Sequence, residues 1–444
     1  WRDNTYPGIS CDVPSHLYRY SFAPNPDWSH VYAPGDEILA YLERVAEEHG
    51  VLDTIRFGEE VIRLEWIDGR WHLGTARADG GSTHDEFDVV IAATGVLHHP
   101  RYPDIEGLET FSGPMFHTAR WDHSVDLAEK RVGVIGNGSS GVQVVGALAG
   151  NVAHLTLFQR TPQWISPQVN PPYSEEEKDE FRRHPEKMAE LHQGLGELLA
   201  AGFGDAIVDA DHPILRQIEE MCREHLEEKV KDPVLREKLR PDYRAACKRL
   251  VISGDFYDAI QHPDSELVTE RIERIEPGGV RTAGGVLHEL DVLVLATGFR
   301  VDAFMRPMHI IGRNEVKLGD AWRERPIAYL SITIPDFPNL FMLNGPNGPV
   351  GNFSLIEVAE LQFGYILQLL EQLRTGRCRE ICASHEATEA FEAARTEAAK
   401  STIWASGCRS WYLDDRGVPS TWPWPFQRFR EAMAAPDLSA YDLR

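Results

Sequence analysis

The stretch RVGVIGNGSSGVQVVGALAGNVAHLTLF, residues 131–158, carries the clearest signal of fold in this chain. A short apolar run opens it, glycines with the spacing GxGxxG follow at residues 136–141, and a segment of helical spacing leads to a second apolar run. The glycine spacing is weak evidence by itself, but a strand before it and a helix after it give it meaning. We therefore predict a βαβ unit with strands at 131–135 and 155–158 and a helix through about Ala149.

The glycines of this stretch form a candidate phosphate site. Gly136 permits a tight turn, Gly138 lets the backbone approach a pyrophosphate, and Gly141 allows the helix and strand to pack closely. The free amides of the helix N-terminus would then face the phosphates. The alternative is a plain glycine turn, but the flanking strand and helix favour a dinucleotide site.

The end of the second strand indicates which dinucleotide binds. NAD sites usually place an acidic residue there, and it accepts hydrogen bonds from the ribose. Residues 158–161 read FQRT and contain no acid. Arg160 can bind a 2′-phosphate through two hydrogen bonds and Thr161 can donate another, whereas the alternative is that Arg160 is only a solvated charge. We favour phosphate, so the sequence predicts NADP(H).

Composition narrows the remaining classes of function. The 444 residues are 42% hydrophobic and 26% charged, as in ordinary globular proteins of two or three domains. The net charge of −24 would repel phosphate backbones and anionic lipids, so we expect neither nucleic acid nor a membrane as partner. No apolar run approaches the ~18 residues that a membrane span needs.

The cysteines carry no metal or redox motif. They are scattered, with no CxxC pair and no metal-ligand spacing with histidine, so we predict no metal site. We interpret all six as reduced thiols of a cytoplasmic protein, and no signal peptide opens the chain. The six are Cys11, Cys222, Cys247, Cys378, Cys382 and Cys408.

Strand and helix alternate in the rest of the chain. The runs DVVIAAT at 88–94 and DVLVLAT at 291–297 predict buried parallel strands. Both end in Ala-Thr-Gly, and such a pair is typical of flavoproteins with two dinucleotide domains. The other predicted elements are a helix at 35–50, antiparallel strands at 60–76, helices within 171–247, a helix at 354–373 and a packed aromatic tail at 411–426.

Residues 111–122, FSGPMFHTARWD, carry a resemblance to a known family. Their pattern, F-x-G-x-x-x-H-x-x-x-W-D, resembles the fingerprint of type I Baeyer–Villiger monooxygenases, which are class B flavoprotein monooxygenases of the flavin-containing monooxygenase superfamily. Residues 1–12 read W-x4-Y-P-G-x3-D and are similar to a second signature, without the residues that precede its tryptophan. The similarity continues through CKR at 247–249, GPN at 345–347 and GCRSWY at 407–412.

The resemblance implies an α/β fold with two dinucleotide-binding, Rossmann-like domains. The NADP-binding domain, 123–295 with a helical insertion at 171–247, would lie within an FAD-binding domain formed by 1–122 and 296–444. In the family, the FAD domain opens with its own GxGxxG inside a βαβ unit of about 30 residues. That unit would precede Trp1, so we expect an N-terminally truncated member.

The resemblance also implies the residues of the sites. Those at the FAD would be Trp1, Asp12, Tyr18, Val61 and Phe353. Those at the NADP pyrophosphate would be Gly136, Gly138, Ser139, Ser140, Gly141 and Gln143. Those around the 2′-phosphate would be Arg160, Thr161 and Lys248. We do not assign His117 of the fingerprint as a catalytic base, because a histidine that couples domain movement fits equally well.

By the same resemblance, NADPH reduces FAD and the reduced flavin captures dioxygen as a flavin peroxide. The peroxide must stay anionic to attack a ketone, so it needs a permanent cation beside it. Arg249 and Asp12 are the implied catalytic pair, with Asp12 orienting the guanidinium. The alternative for Arg249 is a helix-end residue that binds carbonyls. Oxygen insertion next to the ketone carbonyl would give an ester or lactone.

Three rival functions follow from the same residues. Oxygenases of nitrogen or sulfur in this superfamily generally carry an aromatic residue other than tryptophan at the position of Trp121. An NADPH–disulfide reductase would need a paired active-site cysteine motif, which the sequence lacks. A flavin-less NADP-binding fragment without turnover is the rival that the expected truncation suggests.

Overall fold

A computed structural model describes residues 1–351 and 353–444. The strands are β1 (Glu59–Ile67), β2 (Arg70–Arg77), β3 (Ser82–Phe87), β4 (Val90–Ala92), β5 (Met115–His117), β6 (Arg131–Ile135), β7 (His154–Phe158), β8 (Ile165–Ser166), β9 (Val251–Ile252), β10 (Ser265–Val268), β11 (Ile272–Glu276), β12 (Gly279–Thr282), β13 (Leu287–Glu289), β14 (Val292–Leu295), β15 (His309–Ile311), β16 (Leu340–Met342), β17 (Ile381–Ala383) and β18 (Tyr441–Leu443). The α-helices are α1 (Gly35–Glu48), α2 (Ser139–Leu148), α3 (Glu175–Arg183), α4 (Pro185–Leu198), α5 (Asp205–Ile207), α6 (Pro213–Lys229), α7 (Pro233–Leu239), α8 (Phe256–Ile260), α9 (Leu318–Ala321), α10 (Leu355–Arg374), α11 (His385–Ala398) and α12 (Phe426–Ala434). None of the described helices is long and apolar enough to cross a membrane.

A five-stranded parallel sheet, in the order β10-β7-β6-β14-β5, forms the centre of the fold. Its middle strands β6 and β14 are almost entirely buried, as expected of strands covered on both faces. Helix α2 follows β6 and the chain returns as β7, so the predicted βαβ unit is confirmed. Val134, Val142 and Leu157 are fully buried in the core around it.

A second region surrounds the meander β1-β2-β3, which forms a four-stranded sheet with β15. The turn Asp68-Gly69 joins β1 to β2, as predicted, and both of its residues have positive φ. Such turns match the right-handed twist of a hairpin. Trp71 and Trp322 lie almost fully buried in the core beneath this sheet.

The two strands that end in Ala-Thr-Gly differ in burial. β14 is buried along its length, as predicted. β4 pairs in parallel with β16, but its residues are only half-buried, so the prediction of a buried strand is wrong there. The physical reason is that, within the described residues, β4 has a hydrogen-bonded neighbour on one side only.

Helices α3 to α7 lie between β8 and β9, which pair with each other. A capping box of Ser174 and Glu177 starts α3, and the Asp232 side chain caps α7. A π-helical turn at Leu199–Gly204 follows α4. Because β8 and β9 are partners, the two ends of this helical segment leave the sheet region at the same place.

The C-terminal region is packed into the core, as its aromatic composition predicts. Helix α10 covers nearly the predicted span, 354–373. Trp422, Phe426 and Phe429 from the tail are each at most 1% exposed and share a cluster with Tyr365 of α10. Burial of these large side chains holds the tail against the body of the protein.

The prediction that all six cysteines are free thiols is wrong for two of them. Cys247 and Cys408 form a disulfide bond, with Cα atoms 6.3 Å apart and a sequence separation of 161. Short-range spacing carries no information about a pair that only the fold brings together. The other four, Cys11, Cys222, Cys378 and Cys382, are free and buried.

Candidate coenzyme and active site

The glycine loop between β6 and α2 has the geometry of a phosphate cradle. Gly136 has a φ of +106°, and a Cβ atom there would collide with the carbonyl oxygen of Ala296. Gly141 is buried against the carbonyl of Gly136. Gly138 is exposed, caps α2 without a side-chain hydrogen bond, and has open space where a Cβ atom would lie. The first amides of α2 are therefore available to an anion.

Side chains at the start of α2 connect this loop with the N-terminal segment. Ser139 is the first helical residue. Ser140 Oγ donates to Tyr6 Oη at 3.1 Å, and Tyr6 Oη donates to Gln143 Oε1 at 2.8 Å. Gln143 Nε2 donates to the carbonyl oxygen of Ser10 at 3.1 Å. The sequence alone suggests no role for Tyr6, although its place in the signature at residues 1–12 is a signal.

Two cations lie together beyond the end of β7. Arg160 is exposed, and the ammonium of Lys248 lies 4.3 Å from the ring centre of Tyr243. Burial lowers the pKa of Lys248, and the nearby charge of Arg160 lowers that pKa further. In the part of the chain that the structure describes, neither cation forms an ion pair, although the charge of Asp242 partly opposes the lowering of the Lys248 pKa. Neighbouring cations that follow a glycine loop fit the 2′-phosphate of NADP.

Arg249 and Asp12 form an ion pair at the second centre. Arg249 Nε and Nη2 donate to the same oxygen, Asp12 Oδ2, at 3.0 and 2.5 Å. Both side chains are mostly buried, with 31% and 23% of their surface exposed. Asp12 raises the pKa of Arg249 above its ordinary value, so the guanidinium is a permanent cation. Arg249 lies in a loop before β9, which removes the helix-end alternative.

Aromatic residues border this pair. Trp1 Nε1 donates to Tyr18 Oη at 3.2 Å, and the two rings meet edge to face with centroids 5.8 Å apart. Burial raises the pKa of Tyr18, and the charge of Asp12 raises that pKa further. The structure therefore brings together Trp1, Asp12, Tyr18 and Arg249 of the predicted site.

The C-terminal tail reaches the same centre. Its Cys408 is bonded to Cys247, two residues before Arg249. Tyr412 is 3% exposed, and burial raises the pKa of its phenol while Arg249 opposes that shift. The hydroxyl of Tyr412 lies against Gly351, where a Cβ atom would collide with it. Sequence analysis includes Tyr412 only in the family match at 407–412. Nothing in that match indicates that Tyr412 lies beside Arg249.

Helix α10 carries buried donors at its N-cap and about two turns further along. Phe353 is 6% exposed and stacks on Phe426 with ring centroids 4.1 Å apart. Ser354 is the N-cap of α10, and its Oγ and the Nε2 of Gln362 are buried without a partner among the described residues. Buried unpaired donors call for an acceptor, and the edge of a flavin ring carries carbonyl and ring-nitrogen acceptors. The residues present therefore fit the flavin of FAD.

Val61 stands apart from the other predicted FAD residues. It lies on β1 at a register irregularity and packs against the cluster that contains Leu64 and Trp71. Its placement in that cluster does not bring it together with Asp12 and Arg249.

His117 is a buried residue at the end of β5. Its Nδ1 accepts a hydrogen bond from the amide of Ala119 at 3.1 Å and so caps a short 3-10 helix. The rings of Tyr102 and Phe299 flank it, and burial lowers its pKa. These contacts show that His117 is a structural cap at the end of β5, the edge strand of the five-stranded sheet.

The chain is similar to known proteins along its whole length. Residues 2–182 match the family described as flavin-binding monooxygenase-like. An uncharacterized monooxygenase of Mycobacterium tuberculosis is 46% identical over 100% of this chain and 88% of its own length. A Baeyer–Villiger monooxygenase of Streptomyces coelicolor is 38% identical over 100% of this chain and 85% of its own length. The crystal structure of cyclohexanone monooxygenase from Rhodococcus sp. Phi1 bound to NADP+ has a TM-score of 0.87 and 31% identity, and the match covers 100% of this chain and 92% of that one.

These similarities and the coenzyme loop define a flavoprotein monooxygenase, an oxidoreductase that uses FAD and NADPH. Within that class, the chain belongs to the type I Baeyer–Villiger monooxygenases. The predicted α/β fold with Rossmann-like domains is confirmed by the same solved structures.

Proposed function

We propose that the enzyme inserts one oxygen atom of dioxygen next to the carbonyl of a small-molecule ketone and releases an ester or lactone. The observation that carries this proposal is the Arg249–Asp12 pair, a cation fixed by two hydrogen bonds. When bound, FAD supplies the electron transfer from NADPH and the activation of dioxygen. The chain supplies position and charge.

An arginine suits a reaction in which the attacking oxygen must stay anionic. The guanidinium does not release a proton at working pH, and Asp12 raises the pKa of Arg249 further. Arg249 would therefore stabilise negative charge without protonating it. Oxygenation of nitrogen or sulfur uses a protonated oxygen donor instead, so the permanent cation favours the ketone reaction.

Asp12 would act as the positioning partner of Arg249. Both hydrogen bonds end on one carboxylate oxygen, which fixes the plane of the guanidinium. Trp1, Tyr18 and Phe353 would then border the flavin, on the evidence of the contact between Trp1 and Tyr18, the burial of Phe353 and the unpaired donors of Ser354 and Gln362. Val61 stays a prediction from the resemblance.

The residues that we propose for NADP form two groups, one at the pyrophosphate and one at the 2′-phosphate. We assign the pyrophosphate to the amides of the glycine loop 136–141 with Ser139, Ser140 and Gln143 beside it. We assign the 2′-phosphate to Arg160, Thr161 and Lys248. Support comes from the start of α2, which has no side-chain cap, and from two neighbouring cations that form no ion pair within the described part of the chain.

The sheets indicate where the domains begin and end, and one boundary differs from the one expected from the sequence. We propose an NADP-binding domain around the five-stranded sheet, with the helical insertion at 171–247, inside an FAD-binding domain. The expected boundary at 122/123 would separate β5 from the sheet that it extends. Ile105, Leu108 and Phe111 also pack against that sheet's cluster, so we move the boundary to about residue 105.

The test is an isotope experiment on the FAD-loaded enzyme. NADPH, ¹⁸O₂ and a panel of cyclic and linear ketones are supplied, and products are analysed by mass spectrometry. We expect an ester or lactone that carries one ¹⁸O atom. NADPH-dependent oxygenation of amines or sulfides in the same assay, with no ester from any ketone, would contradict the proposal.

A further inference from the structure

Gln159 occupies an informative position at the end of β7, 22 residues after Asn137 of the glycine loop. In NAD-binding sites an acidic residue about 20 residues beyond the glycine motif binds the ribose hydroxyls. Here the position holds a neutral amide that is only 3% exposed. Gln159 therefore points into the protein and is withheld from the nucleotide.

A buried chain of hydrogen bonds uses both polar atoms of the Gln159 side chain and the amide nitrogen of Asn137. Asn137 Nδ2 donates to Gln159 Oε1 at 2.8 Å and to the carbonyl oxygen of Thr161 at 2.9 Å. Gln159 Nε2 donates to the carbonyl oxygen of Lys238 at 2.8 Å. Asn137 is itself only 7% exposed. The three hydrogen bonds join the glycine loop, the strand end and the last residues of α7.

We propose that Asn137 and Gln159 are positioning residues for coenzyme selection. Asn137 lies in the loop assigned to the pyrophosphate and binds the backbone of Thr161, so it fixes the distance from that loop to Arg160 and Thr161. Gln159 holds Asn137 in this orientation and ties it to the helical segment through Lys238. This inference rests on the proposed 2′-phosphate site.

The direction of each hydrogen bond requires amides at both positions. A carboxylate at 137 would face two acceptors, Gln159 Oε1 and the Thr161 carbonyl, and would repel both. If Gln159 then turned its amide over, its Oε1 would face the carbonyl of Lys238. Buried acceptors without donors are costly, so the loop would shift rather than keep its shape.

The experiment measures binding by isothermal titration calorimetry, with 2′,5′-ADP and 5′-ADP as probes and FAD-loaded enzyme in the cell. For Asn137→Asp we expect the Kd of 2′,5′-ADP to rise about tenfold and the Kd of 5′-ADP to change by less than about twofold. Asn151→Asp is the matched control, because Asn151 is an exposed asparagine at the other end of α2 with one backbone hydrogen bond. It should leave both constants unchanged.

The possible results distinguish failure of this inference from failure of the proposed 2′-phosphate site. If the parent enzyme binds both probes equally, the 2′-phosphate site is wrong and the inference fails with it. If the parent prefers 2′,5′-ADP and Asn137→Asp keeps that preference, or loses both probes equally, only the inference is overturned. Gln159→Met, which keeps the length of the side chain, gives the same test if Asn137→Asp does not fold.

Discussion

The two cationic centres of this enzyme handle their charge in opposite ways. At the coenzyme end, Arg160 and Lys248 are neighbours that form no ion pair within the described residues. At the other centre, Arg249 is held on Asp12 by two hydrogen bonds. A permanent anion such as a phosphate is best bound by free cations, whereas charge that develops during a reaction needs a cation that is already oriented. The contrast therefore separates a binding site from a reaction site.

The largest effect should come from removing the oriented cation. Arg249→Ala should lower the rate of ester formation by about a hundredfold or more, because a preorganised charge is lost. Flavin reduction by NADPH should remain measurable, since hydride transfer does not require a cation that stabilises an anionic peroxide. Stopped-flow reduction and product analysis by gas chromatography check the two rates separately. A near-parental rate of ester formation in this variant would remove Arg249 from the mechanism.

The second-largest effect should come from removing the carboxylate that pairs with Arg249. Asp12→Asn should lower ester formation by about tenfold, because one charged acceptor is lost and the guanidinium is free to rotate. Asp27→Asn is the control, since Asp27 pairs with Arg182 on the surface. The control should behave as the parent in steady-state assays. Equal losses in the two variants would show that Asp12 has only a general structural role.

A substitution at the coenzyme end should cause a loss of similar size, but only in nucleotide binding. Arg160→Ala should weaken NADP+ binding about tenfold and leave NAD+ binding unchanged, because only NADP+ carries the 2′-phosphate. Titration calorimetry with both nucleotides checks this. Arg323→Ala removes an exposed arginine from the other half of the chain and should change neither constant. An equal effect of Arg160→Ala on both nucleotides would place the 2′-phosphate elsewhere.

The smallest effect should be a pH dependence. Lys248 attracts phosphate only while protonated, and its pKa is lowered from 10.5 by burial and by Arg160. NADP+ binding to the parent should therefore weaken as the pH rises toward the ordinary lysine value. Lys248→Arg should flatten this profile, because an arginine stays charged throughout the range. Identical profiles for parent and variant would argue against a role for Lys248 at the phosphate.

Sequence reasoning succeeded where the information is local. The glycine loop, the strand end at Arg160 and the hairpin at Asp68-Gly69 each depend on backbone geometry within a few residues, so their spacing alone predicts them. The pairing of Arg249 with Asp12 is not local, since 237 residues separate them. It was reachable only through the family signatures.

Sequence reasoning failed where a property depends on what packs around a segment. The apolar run at β4 looks like that of β14, yet β4 is half-buried, because the described residues place only one strand, β16, beside it. The bond between Cys247 and Cys408 and the position of Tyr412 beside Arg249 arise from folding of the tail onto the helical region. No spacing rule reports such contacts.

The separation of the two centres is tested most directly by the amount of ester formed per NADPH consumed at saturating NADPH and ketone. We expect Arg160→Ala to keep the parental ratio, because saturation restores binding. We expect Arg249→Ala to consume NADPH with almost no ester and to release hydrogen peroxide instead. A parental ratio in Arg249→Ala, or a collapsed ratio in Arg160→Ala, would contradict the division between a centre that binds phosphate and a centre that supports oxygen insertion.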